Sequence, residues 1–267
     1  MLRFEVEYPK PLTDAACYGL AGEIVKAIEP QSEADRAALL MNLLSGFGNV
    51  IGDGAYFEIG KEKHPCRIFS CLVGDTSKAR KGTSWSPIRA LFEDTDAEWA
   101  EKRIQSGLSS GEGLIWHVRD SACKDGEVVD EGVTDKRLFI VEGEFAQVLR
   151  VLKRESNTLS SVLRNAWDSG NLQTITKNSP VRATGAHISI VGHITKQELI
   201  RGLSEIETGN GFANRFLWLC VRRSKVLPFG GDFDPAVIEL LTKKLSKAIQ
   251  FAMAAGQVKW AVVTKPL

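Results

Sequence analysis

Following a segment at 67–73 that reads as a strand, the chain runs Gly74-Asp75-Thr76-Ser77-Lys78-Ala79-Arg80-Lys81-Gly82-Thr83-Ser84. Glycines, cations and hydroxyls in one loop between a strand and a helix are what phosphate binding requires. Backbone N–H groups turn inward, positive side chains meet the anion, and a hydroxyl completes the shell of a magnesium ion. The spacing is irregular. Against G-x-x-x-x-G-K-[ST], counted from Gly74, Ala79 stands at the second glycine and Arg80 at the lysine, while Lys81 comes one residue late, before Gly82 and Thr83. We assign the phosphate contact to Lys81, since one inserted loop residue is easier than replacing an ammonium by a guanidinium fork. Gly74, Lys78, Arg80 and Gly82 then complete the cradle, and Thr83 or Ser84 supplies the metal hydroxyl. A plain basic surface loop is the alternative.

A second group supplies carboxylates. In Leu138-Phe139-Ile140-Val141-Glu142-Gly143-Glu144 an apolar strand ends in two acids, hard oxygen donors suited to magnesium or to polarising water. Which of Glu142 and Glu144 binds metal and which acts as base stays open at this level, and Glu144 is also favoured in a helical first turn by the dipole alone. His193 follows the apolar run 187–191, where it would sense a terminal phosphate; the adjoining Thr195-Lys196-Gln197-Glu198 reads as a capping box. Arg215 precedes the run 216–221 and suits an arginine finger, in cis or toward a neighbouring subunit. Glu112, between Gly111 and Gly113, is a candidate general base, with Ser110 reading equally well as a helix cap.

Other chemistries find less support. No G-x-S-x-G elbow is present, and His64, His117, His187 and His193 form no H-x-x-x-H pair for zinc. The five cysteines are odd in number and lack C-x-x-C, which fits thiols in a reducing compartment. A metal-dependent nuclease would have to draw Glu112, Glu142, Glu144 and Asp168 from separate elements.

These residues need strands to carry them. The runs 138–141 and 216–221 are apolar throughout and 187–191 is largely so, as expected of strands buried on both faces of a parallel sheet. Helical patterns at 84–92, 145–153, 158–168 and 195–203 alternate with them, so the expected fold is α/β, an open mostly parallel sheet flanked by helices, with ligands beyond the carboxyl ends of the strands. Residues 123–135 read as a polar loop. Residues 1–54 read as a helical segment packed on the core, with a capping box at Ser32 opening a helix through Leu39, Leu40, Leu43 and Leu44. Residues 55–267 form the core; Asp234-Pro235 opens a last helix, and the chain stops soon after it, as a truncated product would.

Composition agrees with one large domain or two small ones. The chain has 267 residues, a formal charge of +1, 43% hydrophobic and 25% charged residues, which excludes disorder and a broadly basic DNA coat. The first twenty residues lack a signal-peptide core, and the uncharged stretch 37–52 is shorter than the roughly 18 apolar residues of a spanning helix. A cytoplasmic location without membrane association is the expectation.

The chain resembles the YfjI-like family of phage-, plasmid- and island-encoded proteins. The likeness spans about residues 19–228 and rests on Val73-Gly74-Asp75 with Arg80-Lys81-Gly82-Thr83-Ser84, on Gly107-Leu108-Ser109-Ser110-Gly111-Glu112-Gly113, on Glu142-Gly143-Glu144-Phe145, on Ala166-Trp167-Asp168, on Gly192-His193-Ile194-Thr195 and on Asn210-Gly211-Phe212-Ala213-Asn214-Arg215-Phe216. That family looks like RecA-like P-loop ATPases linked to primases and replicative helicases. The resemblance implies ATP and Mg2+ as cofactors, with Thr83 and Glu142 on the metal. It also implies single-stranded DNA, primase or other replication proteins as partners, and a homo-oligomer such as a hexamer. The rival reading is a non-catalytic nucleic-acid-binding or assembly module on a degenerate P-loop fold.

Overall fold

Parallel strands leave neither face of a sheet free for water, so their sequences are apolar throughout and helices must cover both sides. The computed structural model describes residues 8–75, 82–175 and 180–259. Its elements run α1 (Gly19–Ile28), α2 (Arg36–Val50), β1 (Ala55–Ile59), β2 (Glu62–Pro65), β3 (Phe69–Gly74), α3 (Ser86–Glu93), α4 (Ala97–Lys102), β4 (Ile104–Gln105) and α5 (Gly111–Trp116). They continue through β5 (Ala122–Lys124), β6 (Glu127–Asp130), β7 (Arg137–Glu142), α6 (Phe145–Leu152), α7 (Leu159–Asp168), β8 (Leu172–Thr174), β9 (Val181–Ala183) and β10 (His187–Thr195). The last are α8 (Lys196–Gly202), α9 (Glu205–Gly209), β11 (Phe216–Cys220), α10 (Pro235–Ala254) and β12 (Gly256–Gln257).

The central sheet has five strands in the order β11-β3-β10-β7-β4, and every pairing in it is parallel. Side chains alternate across it. Phe69, Cys71, Val73, Ile140 and Ile190 point into a core with α5, α6 and α7. Leu72, Phe139 and Val191 point into a second core with α1, α2, α3, α4 and α10. The chain is thus a three-layer α/β structure. β1 does not join this sheet; it pairs with β2 and β12 in a separate small one.

Several local expectations shift. The helix expected at Ser32 begins three residues later: Ser32 Oγ accepts the Ala34 N–H within a turn, and Asp35 is the cap, accepting from Ala37 N at 2.9 Å. Residues 123–135, read as a loop, contain the β5–β6 hairpin, whose Val128 and Val129 are exposed. α4 and the two-residue edge strand β4 are too short for any periodic signal. The caps at Asp234 and at Thr195–Glu198 match the sequence. No helix among the described residues is long and apolar enough to cross a membrane.

One buried amide ties the layers. Asn49, fully buried near the end of α2, donates from Nδ2 to the carbonyls of Leu138 (3.1 Å) and His187 (3.0 Å), while its Oδ1 accepts Trp99 Nε1–H at 2.9 Å. It therefore fixes a helix, two strands and α4 at once. Beside it, His187 donates from Nε2 to the carbonyl of Gly48 at 2.8 Å, because a carbonyl can only accept; Nδ1 is then the bare nitrogen. Burial pulls the His187 pKa down to about 4, against the opposing hydrogen bond to Gly48.

Two outcomes follow. Asn49→Leu keeps the volume but strands the Trp99 N–H and two carbonyls, and should lower the unfolding free energy by about 3 kcal/mol in urea titration. His187 is neutral in the folded chain down to about pH 4, whereas the unfolded chain takes up the proton near 6.5. Stability should therefore be complete above pH 6.5 and fall, by on the order of 3 kcal/mol, as pH drops toward 4. A His187→Gln variant should show a flatter urea midpoint over that window, and an identical slope would refute the assignment.

Candidate functional site

In an open parallel sheet the ligand crevice forms where successive connections leave toward opposite faces. Here that point lies between β3 and β10. The chain leaving β3 enters α3 on one face, and the chain leaving β10 enters α8, whose Leu199 packs on the other. Gly74, the last residue of β3, is in register with Thr195, the last of β10. The candidate site is the space beyond these two residues.

Lys78, Arg80 and Lys81 lie outside the described residues. The chain is described again from Gly82, in a short 3-10 turn, Gly82–Ser84, that leads into α3. Its two hydroxyls differ. Thr83 is exposed. Ser84 is fully buried, and its Oγ accepts a hydrogen bond from Asn42 Nδ2 at 2.9 Å. Of the pair, Thr83 has the solvent access a metal hydroxyl needs, while Ser84 fastens the start of α3 to α2.

Glu142 ends β7 on the same side of the sheet as Ile140, facing α5 and α6. It is buried, and its Oε1 accepts the N–H groups of both Gly107 and Leu108 at 2.6 Å. The carboxylate thereby holds the turn between β4 and α5. Its Oε2 accepts no hydrogen bond among the described residues. Ser110 caps α5 by accepting from Gly113 N at 3.0 Å, and Glu112 is exposed in the first turn of that helix. Glu144 is exposed at the start of α6, with Oε2 accepting from Gln147 at 3.1 Å.

His193 is buried and in register with Leu72. It shares its side with Val191, so it faces α2 and α3, opposite Glu142. The two therefore approach one ligand only beyond the strand ends. Thr195 forms the reciprocal capping box with Glu198, at 3.1 and 3.2 Å. Arg215 stands apart from all of these. It precedes β11, at the amino end of the sheet, about 20 Å from Gly74 at strand rise. Its guanidinium grips Asp168 through two hydrogen bonds, of 3.0 and 2.7 Å, and donates to the Gly211 carbonyl at 2.6 Å. Within one chain it cannot reach the phosphate loop. Nor are Glu112, Glu142, Glu144 and Asp168 gathered: among the described residues no three His, Cys, Asp or Glu side chains converge on a metal-sized point.

Sequence reasoning passed over Asn42, the amides of Gly107 and Leu108, and the pairing of Asp168 with Arg215. Asn42 carried a legible signal: with Asn49 it lies seven residues along the same apolar helix, two turns apart and on one face. Backbone donors carry none.

Glu142→Ala should leave the Gly107 and Leu108 amides unpaired. Two hydrogen bonds to a charged acceptor are worth about 3 kcal/mol together, so amide exchange at 107–108 should accelerate by about a hundredfold, with Glu142→Gln intermediate. No family model matches the chain, and the search of curated proteins returns no match.

Proposed function

We propose that this chain is an ATP-binding, RecA-like P-loop domain of a YfjI-like mobile-element DNA replication protein. The observation that carries the reading is the sheet order. The strand that feeds the glycine- and lysine-bearing loop is central, and the strand ending in Glu142 lies two places away with β10 and its His193 between them. Groups carried by three strands, in this reading, meet one ligand beyond the strand ends. In this reading Gly74, Gly82 and the loop amides cradle the phosphates, Lys81 with Lys78 and Arg80 balances their charge, and Thr83 with Glu142 Oε2 holds Mg2+. Glu112 or Glu144 positions water, and His193 reports on the terminal phosphate through the α2–α3 side. Phosphoryl transfer asks for positioning and charge stabilisation rather than covalent help, which suits such a set. Arg215 serves, if at all, a neighbouring subunit of an oligomer. Single-stranded DNA and primase or other replication proteins are the partners proposed.

Two observations favour a second reading, a nucleotide-binding assembly module that does not turn over. Glu142 is already engaged by two amides, and Arg215 is closed on Asp168. The readings separate by experiment. Magnesium–ATP binding measured by calorimetry should be present in the wild type and reduced by about a hundredfold in Lys81→Ala, a loss of about 2.7 kcal/mol. Hydrolysis stimulated by single-stranded DNA and abolished in Glu142→Gln identifies the ATPase; binding without hydrolysis identifies the module; absence of binding overturns both.

A further inference from the structure

At the other end of the strands from Gly74, the surface opens into a cleft of about 560 Å³ lined by Asp53, Tyr56, Lys63, Arg67, Asn171 and Thr184 among others. A volume of that order accommodates a nucleotide-sized ligand. Of the charged residues that line it, Asp168 is held by Arg215 at 2.7 Å, while Asp53, Glu62 and Lys63 form no ion pair among the described residues. Arg67 is different. Its Nε is buried and has no hydrogen-bond partner, and among the described residues its side chain forms no ion pair. The guanidinium is sheltered by Gly170, whose φ of +73° and missing side chain permit the approach; a β-carbon there would lie 2.9 Å from Arg67 Nη2. Burial lowers the Arg67 pKa, and the charge of Asp53 opposes the shift from a distance without touching it.

A guanidinium that is partly buried yet unpaired is costly on its own, and an oxyanion that offers it two acceptor oxygens, as a phosphoryl group does, satisfies it well. We infer that this cleft binds a phosphodiester, with its singly charged phosphoryl group on Arg67. Asp53 sets the preference, since a carboxylate facing the same space repels a second negative charge and disfavours dianionic phosphate. Lys63, whose ammonium lies 4.5 Å from the centre of the Tyr56 ring, adds positive charge at the rim. Asn171 accepts Gly185 N through Oδ1 at 3.2 Å, which leaves its side-chain NH2 for a ligand oxygen. The site stands at the opposite end of the sheet from the proposed nucleotide crevice and does not depend on that reading.

The test uses a thymidine dinucleotide, which carries one phosphodiester and no terminal phosphate, in magnesium-free buffer with the full chain. Calorimetry should show saturable binding to the wild type, retained in Lys81→Ala and weakened by about tenfold in Arg67→Gln. Inorganic phosphate should bind more weakly, and Asp53→Asn should narrow that preference. Hydrogen exchange on the wild type should show protection at 168–171 and 184–187. The inference is overturned by absent wild-type binding, by loss in Lys81→Ala, by full retention in a folded Arg67→Gln, or by an unchanged preference in Asp53→Asn. Should Arg67→Gln fail to fold, the exchange map and Asp53→Asn decide alone.

Discussion

The side-chain amide of Asn49 is the point on which the layers of this molecule are registered. A parallel sheet is held within its plane by its ladder, but nothing in that ladder says where a covering helix must sit along it. Apolar contacts are non-directional and tolerate sliding. Asn49 removes that freedom, because its donors meet carbonyls on β7 and β10 and its acceptor meets the indole of Trp99. Asn42, two turns earlier, does the same at the other end of the sheet by holding Ser84 at the start of α3. One helix face thus sets the position of the strand ends and of the element that follows the loop.

The carboxyl end of the sheet is organised by a related device on the opposite face. Glu142 draws the turn after β4 against β7 through two backbone amides, and Ser110 then starts α5. A carboxylate used this way is held in one orientation. The amino end carries a different chemistry, in which Arg67 forms no ion pair among the described residues and its Nε is buried without a partner. The two ends are separated by the length of the strands.

Much of the frame was legible from residue patterns. The apolar runs of β7 and β10 announced strands covered on both faces, whereas β11, read the same way, lies at the sheet edge with Leu217 and Cys220 exposed; the capping residues Asp234, Ser110 and Thr195 stood where the helices begin, since such signals are local. Legibility failed where the pattern was short or the partner distant. β4 offers two residues, too few for any period, and the hairpin β5–β6 lies in a polar stretch. Arg215 read as a finger because it precedes a strand; its commitment to Asp168 joins positions 47 residues apart, and no spacing rule reaches that far.

Sequence alone determined the class of the fold, the strands bearing the candidate residues, and the glycine, lysine and carboxylate composition of the phosphate-site hypothesis, because periodicity, capping and side-chain chemistry are properties of neighbouring residues. Tertiary structure decided the order β11-β3-β10-β7-β4, the opposition of Glu142 and His193 across the sheet, the removal of Arg215 to the far end, and the unpaired state of Arg67. Each of these depends on which strand lies beside which and on what fills the space above it, and that is settled only when the whole chain buries both faces of the sheet at once.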